Sequence, residues 1–150
     1  VCIIIERAEK GVSVSSTRRL EPTVITTQPY PGFPTDLQAQ AMALLCLADG
    51  NSVITEKIYP DRFLHVGELN RMGAQLHKEG PTVIIEGPTR LVGAPVMASD
   101  LRASAALILA GLIAKGTTRI HRAYHIDRGY EKIEEKLTQL GAVVRRVNDA

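Results

Sequence analysis

The stretch DLRASAALILAGLIAKG, residues 100–116, decides the fold. From residue 103 to residue 114 it carries no charge, and a helix that is apolar on every side must be buried on every side. It has a counterpart in DLQAQAMALLCLADG, residues 36–50, where residues 41–48 are equally free of charge. Two interior helices are therefore expected, each opened by an aspartate. The correspondence continues outward, with NSVITEKIYPDRF (51–63) against TTRIHRAYHIDRG (117–129) and then ELNRMGAQL against EKLTQLGAVV. The offset is 64 residues at Asp36/Asp100, 66 at Arg62/Arg128 and 68 at Gly73/Gly141, so the second copy carries two small insertions.

Each copy reads as helix, strand, helix, strand. Residues 53–55, 82–85, 119–121 and 142–147 are short, β-branched and bounded by Gly, Pro or Asn, as strands are. The second helix of the later copy is amphipathic, with Tyr130, Ile133, Leu137 and Leu140 on one face and Glu131, Lys132, Glu134, Glu135 and Lys136 on the other. It is expected to cover a sheet. Residues 1–35 contain strand-like pieces, VCIII, VSVSS and TVITT, without a helix pair, and read as the tail of an incomplete unit. The domain reading is thus one partial domain over 1–150, made of that tail, a unit at 36–99 and a unit at 100–150. Natural sequence is expected before Val1, and the folded object is expected to need that part or a companion domain.

Composition narrows the function classes. A chain of 150 residues, 45% hydrophobic and 23% charged, has ordinary globular composition, and a net charge of +2 points to neither a nucleic-acid nor a membrane partner. Its apolar runs fall short of the roughly 20 residues a bilayer span requires, and no leader pattern opens the chain, so a cytoplasmic location is expected. Cys2 and Cys46 lie in apolar runs and read as core thiols. The histidines and cysteines form no metal-ligand cluster in the sequence, so no metal site is expected.

The candidate functional residues stand at the joints between elements. Asp36 follows the stiff approach PYPGFPT and opens a helix, and Asp100 follows VMAS and opens the other. Either is a respectable helix cap, and the elaborate approach to Asp36 also suits a carboxylate held in a fixed place. Asp61-Arg62 and Asp127-Arg128 occupy the same joint in the two copies. Arg102 is the only cation in the first turns of a helix otherwise fit for burial, where a guanidinium is costly unless it meets an anion. Arg62, Arg102 and Arg128 near helix starts suit a carboxylate or phosphate ligand.

PGFPTDLQAQ, RFLHVGELNRMGA, DLRASAALILAG and YHIDRGYEKIEEKLTQLGA resemble the corresponding stretches of the UDP-N-acetylglucosamine enolpyruvyl transferases, over nearly all of residues 30–147. The resemblance implies an α/β fold of the inside-out barrel kind, also called an α-β prism, with helices inside and sheets outside. It implies transfer of the enolpyruvyl group of phosphoenolpyruvate to the 3-hydroxyl of UDP-N-acetylglucosamine with release of phosphate, early in peptidoglycan synthesis and without metal or organic cofactor. On the matching motifs, Asp36 stands where the family has its proposed base, Ile58 where a backbone group meets the sugar nucleotide, and Arg102 and Arg128 where arginines hold phosphoenolpyruvate. Arg62 and Asp100 match positions facing the site. The family's amino-terminal lysine, its loop cysteine and its second domain have no match here, so the chain is expected to supply part of a site and to be inactive alone. The alternatives are the sister enolpyruvylshikimate-phosphate synthases, which share fold and reaction, and a scaffold or binding module that kept the fold and lost the chemistry.

Overall fold

The computed structural model describes residues 3–16 and 19–147. The expectation for Cys2 lies outside them. Strands β1 (Ile3–Ala8) and β2 (Gly11–Ser16) form an antiparallel hairpin exposed throughout. β3 (Val24–Thr26) leads through the proline-rich segment to a 3-10 turn at Thr35–Leu37 and then to α1 (Gln38–Leu45). β4 (Ser52–Thr55) returns parallel to β3, with Ile25 opposite Ile54, and a parallel pair needs such a crossover between its strands. Then come α2 (Leu64–Arg71), β5 (Gln75–Glu79) and β6 (Thr82–Glu86). The four strands make one sheet in the order β3-β4-β6-β5. β6 is antiparallel to both neighbours, and Gly80, at φ +56°, makes the tight turn from β5 where a side chain would be strained.

A second parallel pair has the same order of elements. β7 (Pro95–Met97) passes through α3 (Leu101–Ile113) to β8 (Arg119–His121), with Val96 opposite Ile120. A longer 3-10 turn at Ala123–Arg128 and α4 (Ile133–Gln139) follow. The core lies where α1, α2 and α3 meet the sheet: Met42, Leu69 and Leu107 from the helices pack with Ile54, Val83 and Ile85 from the strands, all fully buried. Each such side chain contributes roughly 2 kcal/mol. Cys46 belongs to this core, where its thiol donates to the Met42 carbonyl and burial pushes its pKa up to about 11.

Three expectations differ from the structure. The helices α1 and α3 pack against each other and the sheet, but Leu44, Leu109, Leu112 and Ile113 on their outer sides remain exposed. Their all-round apolar character is used on one side only within this chain. Helix α4 is shorter than its pattern suggested and buries no residue, and Leu140 is 84% exposed. Its counterpart α2 does cover a sheet, through His65, Val66 and Leu69. Residues 142–147 form no strand. Arg146 instead ties that segment back by a fork onto Asp127, at 2.8 and 2.6 Å, and a contact with Glu134 at 2.9 Å. The strand β5, at QLHKE, shows weak alternation and went unforeseen.

Candidate active site

The site is assembled at one end of the four-stranded sheet, from the segments that leave β3 and β4. After β3 the chain makes a compact turn. Gln28 N–H donates to the Phe33 carbonyl at 2.9 Å and Gly32 N–H to that of Pro29 at 2.8 Å. A Cβ at Gly32 would stand 2.5 Å from that of Gln28, so the turn closes only with glycine there. It delivers Asp36 into the middle of the 3-10 turn, where the residue before the turn is Pro34 and no side chain caps it. The capping reading therefore fails for Asp36. It holds for Asp100, which is extended at φ −157° and accepts from the backbone N–H groups of Arg102 and Ala103 at 2.8 and 2.9 Å.

The Asp36 carboxylate, 62% exposed, receives two of the three candidate arginines. Arg102 lays Nε and Nη2 on Oδ1 at 2.7 and 2.6 Å, reaching across from the first turn of α3. Arg62 approaches the same oxygen through Nη1 at 3.4 Å. Its guanidinium lies over the Tyr59 ring at 4.2 Å and also donates to the Thr35 hydroxyl at 3.1 Å. At such exposure the ion pairs contribute at most about 1 kcal/mol to stability, so their weight is in placement. All the contacts fall on Oδ1, which leaves Oδ2 as an acceptor without a partner among the described residues. One carboxylate oxygen is anchored and the other is open to a proton.

Arg128 closes the second 3-10 turn, exposed and without an ion pair among the described residues. The next residue, Gly129, packs so tightly on Leu101 that a Cβ there would be 2.9 Å from its Cδ2, which sets the end of this turn against the start of α3. Asp127 turns away to Arg146, whose hydrogen bonds hold its carboxyl below the ordinary range. Ile58 commits its N–H to Glu56 at 2.8 Å, and its carbonyl has no hydrogen-bond partner among the described residues.

Glu56 is the residue sequence reasoning missed. It is fully buried, and its carboxylate accepts from the Thr27 hydroxyl (2.5 Å), the Thr35 hydroxyl (2.8 Å) and the N–H groups of Ile58 (2.8 Å) and Tyr59 (3.1 Å). Burial pushes the carboxyl up, but these hydrogen bonds, that of Thr27 first among them, outweigh it and hold Glu56 below the usual carboxylate range. The available signal was a carboxylate directly after the β-branched run SVIT, with Lys57 beside it suggesting a solvated strand end. Among the described residues no three His, Cys, Asp or Glu side chains cluster to hold a metal, and no helix is long and apolar enough to cross a membrane.

Known proteins share this fold. A solved enolpyruvyl transferase, NikO from Streptomyces tendae, superposes on 95% of the chain with a TM-score of 0.87 at 29% identity, the chain covering 33% of it. The EPSP synthase of Acinetobacter baumannii matches 79% of the chain with a TM-score of 0.58 at 20% identity, covering 29% of that protein, and shows the fold alone. The fold is that of the enolpyruvyl transferases. The family model "EPSP synthase (3-phosphoshikimate 1-carboxyvinyltransferase)" matches residues 3–137, and the chain belongs to that family. Among curated relatives, the UDP-N-acetylglucosamine 1-carboxyvinyltransferase of Anaeromyxobacter sp. (strain Fw109-5) is 61% identical over 136 residues, 91% of this chain and 32% of the relative. That of Novosphingobium aromaticivorans is 54% identical over 143 residues, 95% of this chain and 34% of the relative. The chain spans about a third of the length of the curated relatives it matches.

Proposed function

We propose that the chain supplies one wall of an active site that transfers the enolpyruvyl group of phosphoenolpyruvate to the 3-hydroxyl of UDP-N-acetylglucosamine, releasing phosphate, in peptidoglycan synthesis in the cytoplasm. The observation that carries this reading is the Asp36 carboxylate anchored through one oxygen by Arg102 and Arg62, in a chain 54–61% identical to enzymes named for that substrate. An alcohol becomes a competent nucleophile only as its proton leaves, and the open Oδ2 of Asp36 is the acceptor for it. Arg102 and Arg128, near the start of α3, meet the carboxylate and phosphate of phosphoenolpyruvate, whose charges suit planar guanidinium forks. Arg62 steadies Asp36, Asp100 aims Arg102 by capping its helix, and the Ile58 carbonyl meets the sugar nucleotide. The reaction passes through a tetrahedral intermediate before phosphate departs.

In this reading residues 36–99 and 100–150 are two units of one inside-out α/β barrel, with 1–35 belonging to a third. The exposed outer sides of α1 and α3 then face further helices of that barrel. The opposite wall comes from a second domain of the same enzyme, and closure of the two excludes water from the reactants.

A second reading rests on the name of the matching family, which is that of the shikimate enzyme. Two grafts separate the readings by phosphate release. The chain replaces the matching third of the Anaeromyxobacter relative in one, assayed with UDP-N-acetylglucosamine, and of the A. baumannii EPSP synthase in the other, assayed with shikimate 3-phosphate. Turnover is expected in the first graft only, and none from the 150-residue chain alone. Activity only in the second graft favours the shikimate reading, and full turnover by the isolated chain ends the half-site reading.

A further inference from the structure

Glu56 takes no part in the steps above, yet it is a fully buried carboxylate with four donors and no Lys or Arg against it among the described residues. A buried charge without such partners costs several kcal/mol, and here hydroxyl and amide dipoles offset that penalty in place of an opposite charge. Dipoles act only in defined directions, whereas an ion pair tolerates many geometries. The donors come from three places: Thr27 at the end of β3, Thr35 in the turn that bears Asp36, and Ile58 and Tyr59 in the loop that bears Arg62. A second strap runs alongside, from Lys57 N–H to the Thr27 hydroxyl at 2.9 Å.

The connection to Asp36 runs through one hydroxyl. An ionised carboxylate only accepts, so Thr35 must donate its single proton to Glu56 Oε2 at 2.8 Å. Its lone pairs then face the other way, toward Arg62 Nη1 at 3.1 Å, and that guanidinium nitrogen is the one that also approaches Asp36 Oδ1. The ionised state of Glu56 thereby fixes the Thr35 proton, leaving that hydroxyl free to accept from Arg62, which only donates.

We infer that Glu56 is a positioning residue for the transferase site, holding the Asp36 turn and the Ile58 to Arg62 loop in one register through the Thr35 hydroxyl and two backbone amides. The inference rests on the proposed reading of Asp36 as the base. It accounts for the choice of a carboxylate where a neutral or apolar side chain would close the sheet end at lower desolvation cost. Glu56→Gln keeps the size and breaks the scheme in either orientation of the amide. With its NH2 group at Oε2 it donates to Thr35 and turns that hydroxyl's proton toward Arg62. With its NH2 group at Oε1 it meets the N–H groups of Ile58 and Tyr59.

The test uses the Anaeromyxobacter graft, with kcat, both KM values and the melting temperature measured for E56Q, T35V, T35S, D36N and the double variant D36N/E56Q. E56Q is expected to lower kcat about tenfold to a hundredfold, as a displaced reacting group does, and to raise the KM for UDP-N-acetylglucosamine. The KM for phosphoenolpyruvate should stay within about twofold, because Arg102 is held from α3 and not from Glu56. T35V should lower kcat about tenfold and T35S, which restores the hydroxyl, should recover it, which keeps the test decisive if E56Q fails to fold. The double variant should be no slower than D36N by more than about twofold, since both act on one group. The inference is overturned if E56Q and D36N multiply in full, if T35V matches the unmodified graft, or if E56Q lowers only the melting temperature. If D36N itself leaves kcat unchanged, the base assignment falls first and the role of Glu56 falls with it.

Discussion

Lowering the pH from 7 to 5 is expected to destabilise the fold by about 2 kcal/mol through His65 alone. His65 is 2% exposed on the inner face of α2, and its Nε2 has no hydrogen-bond partner. Burial pushes its pKa from 6.5 down to about 4, against a smaller opposing pull from the Asp100 carboxylate. The unfolded chain therefore takes up a proton near 6.5 that the folded chain refuses until about 4. The unfolded state binds more protons throughout that window, so stability falls as pH falls through it, and the loss levels off at about 3 kcal/mol once the pH is below both values. Urea unfolding of the Anaeromyxobacter graft at pH 7 and pH 5 measures this directly. With a slope of roughly 2 kcal/mol per molar urea, the midpoint should drop by about 1 M. His65→Gln, neutral at every pH, should be less stable at pH 7 but should lose most of that drop. A midpoint that falls equally in both proteins would refute the assignment to His65.

Two further effects follow from the site. Asp100→Ala removes both cap hydrogen bonds at the start of α3 and should cost about 1 kcal/mol, recovered in large part by Asp100→Asn, with urea midpoints as the measure. Arg102→Lys replaces the fork on Asp36 Oδ1 by a point charge; in the Anaeromyxobacter graft it should raise the KM for phosphoenolpyruvate about tenfold or more, and an unchanged KM would remove Arg102 from the phosphoenolpyruvate site.

Much of the fold is legible in local pattern. The uncharged run after Arg102 marks α3, and the short β-branched segment at 119–121 coincides with β8. What pattern cannot supply is the neighbour. Residues 142–147 have strand composition, but a strand also needs an edge to bond to, and Arg146 finds Asp127 and Glu134 instead. Tyr130 and Leu140 have the spacing of a buried stripe and remain exposed. QLHKE pairs with β6 because the turn at Gly80 brings it there, which its own weak alternation does not announce.

The candidate site divides in the same way. Asp36, Arg62 and Arg102 could be marked because charged residues at helix starts are conspicuous, and the structure brings these three together. Position alone made Asp36 and Asp100 equivalent; only Asp100 caps a helix, because the PYPGFP approach carries Asp36 one step further, into the 3-10 turn itself. Glu56 escaped because a charge beside Lys57 at a strand end looks solvated, and its four donors come from positions up to 29 residues away.

The most direct test of the central claim is phosphate release from phosphoenolpyruvate and UDP-N-acetylglucosamine by the Anaeromyxobacter graft carrying Asp36→Asn. The account predicts that kcat falls at least about a hundredfold while both KM values stay within a few-fold, as loss of a general base requires. A kcat within about twofold of the unmodified graft would contradict it.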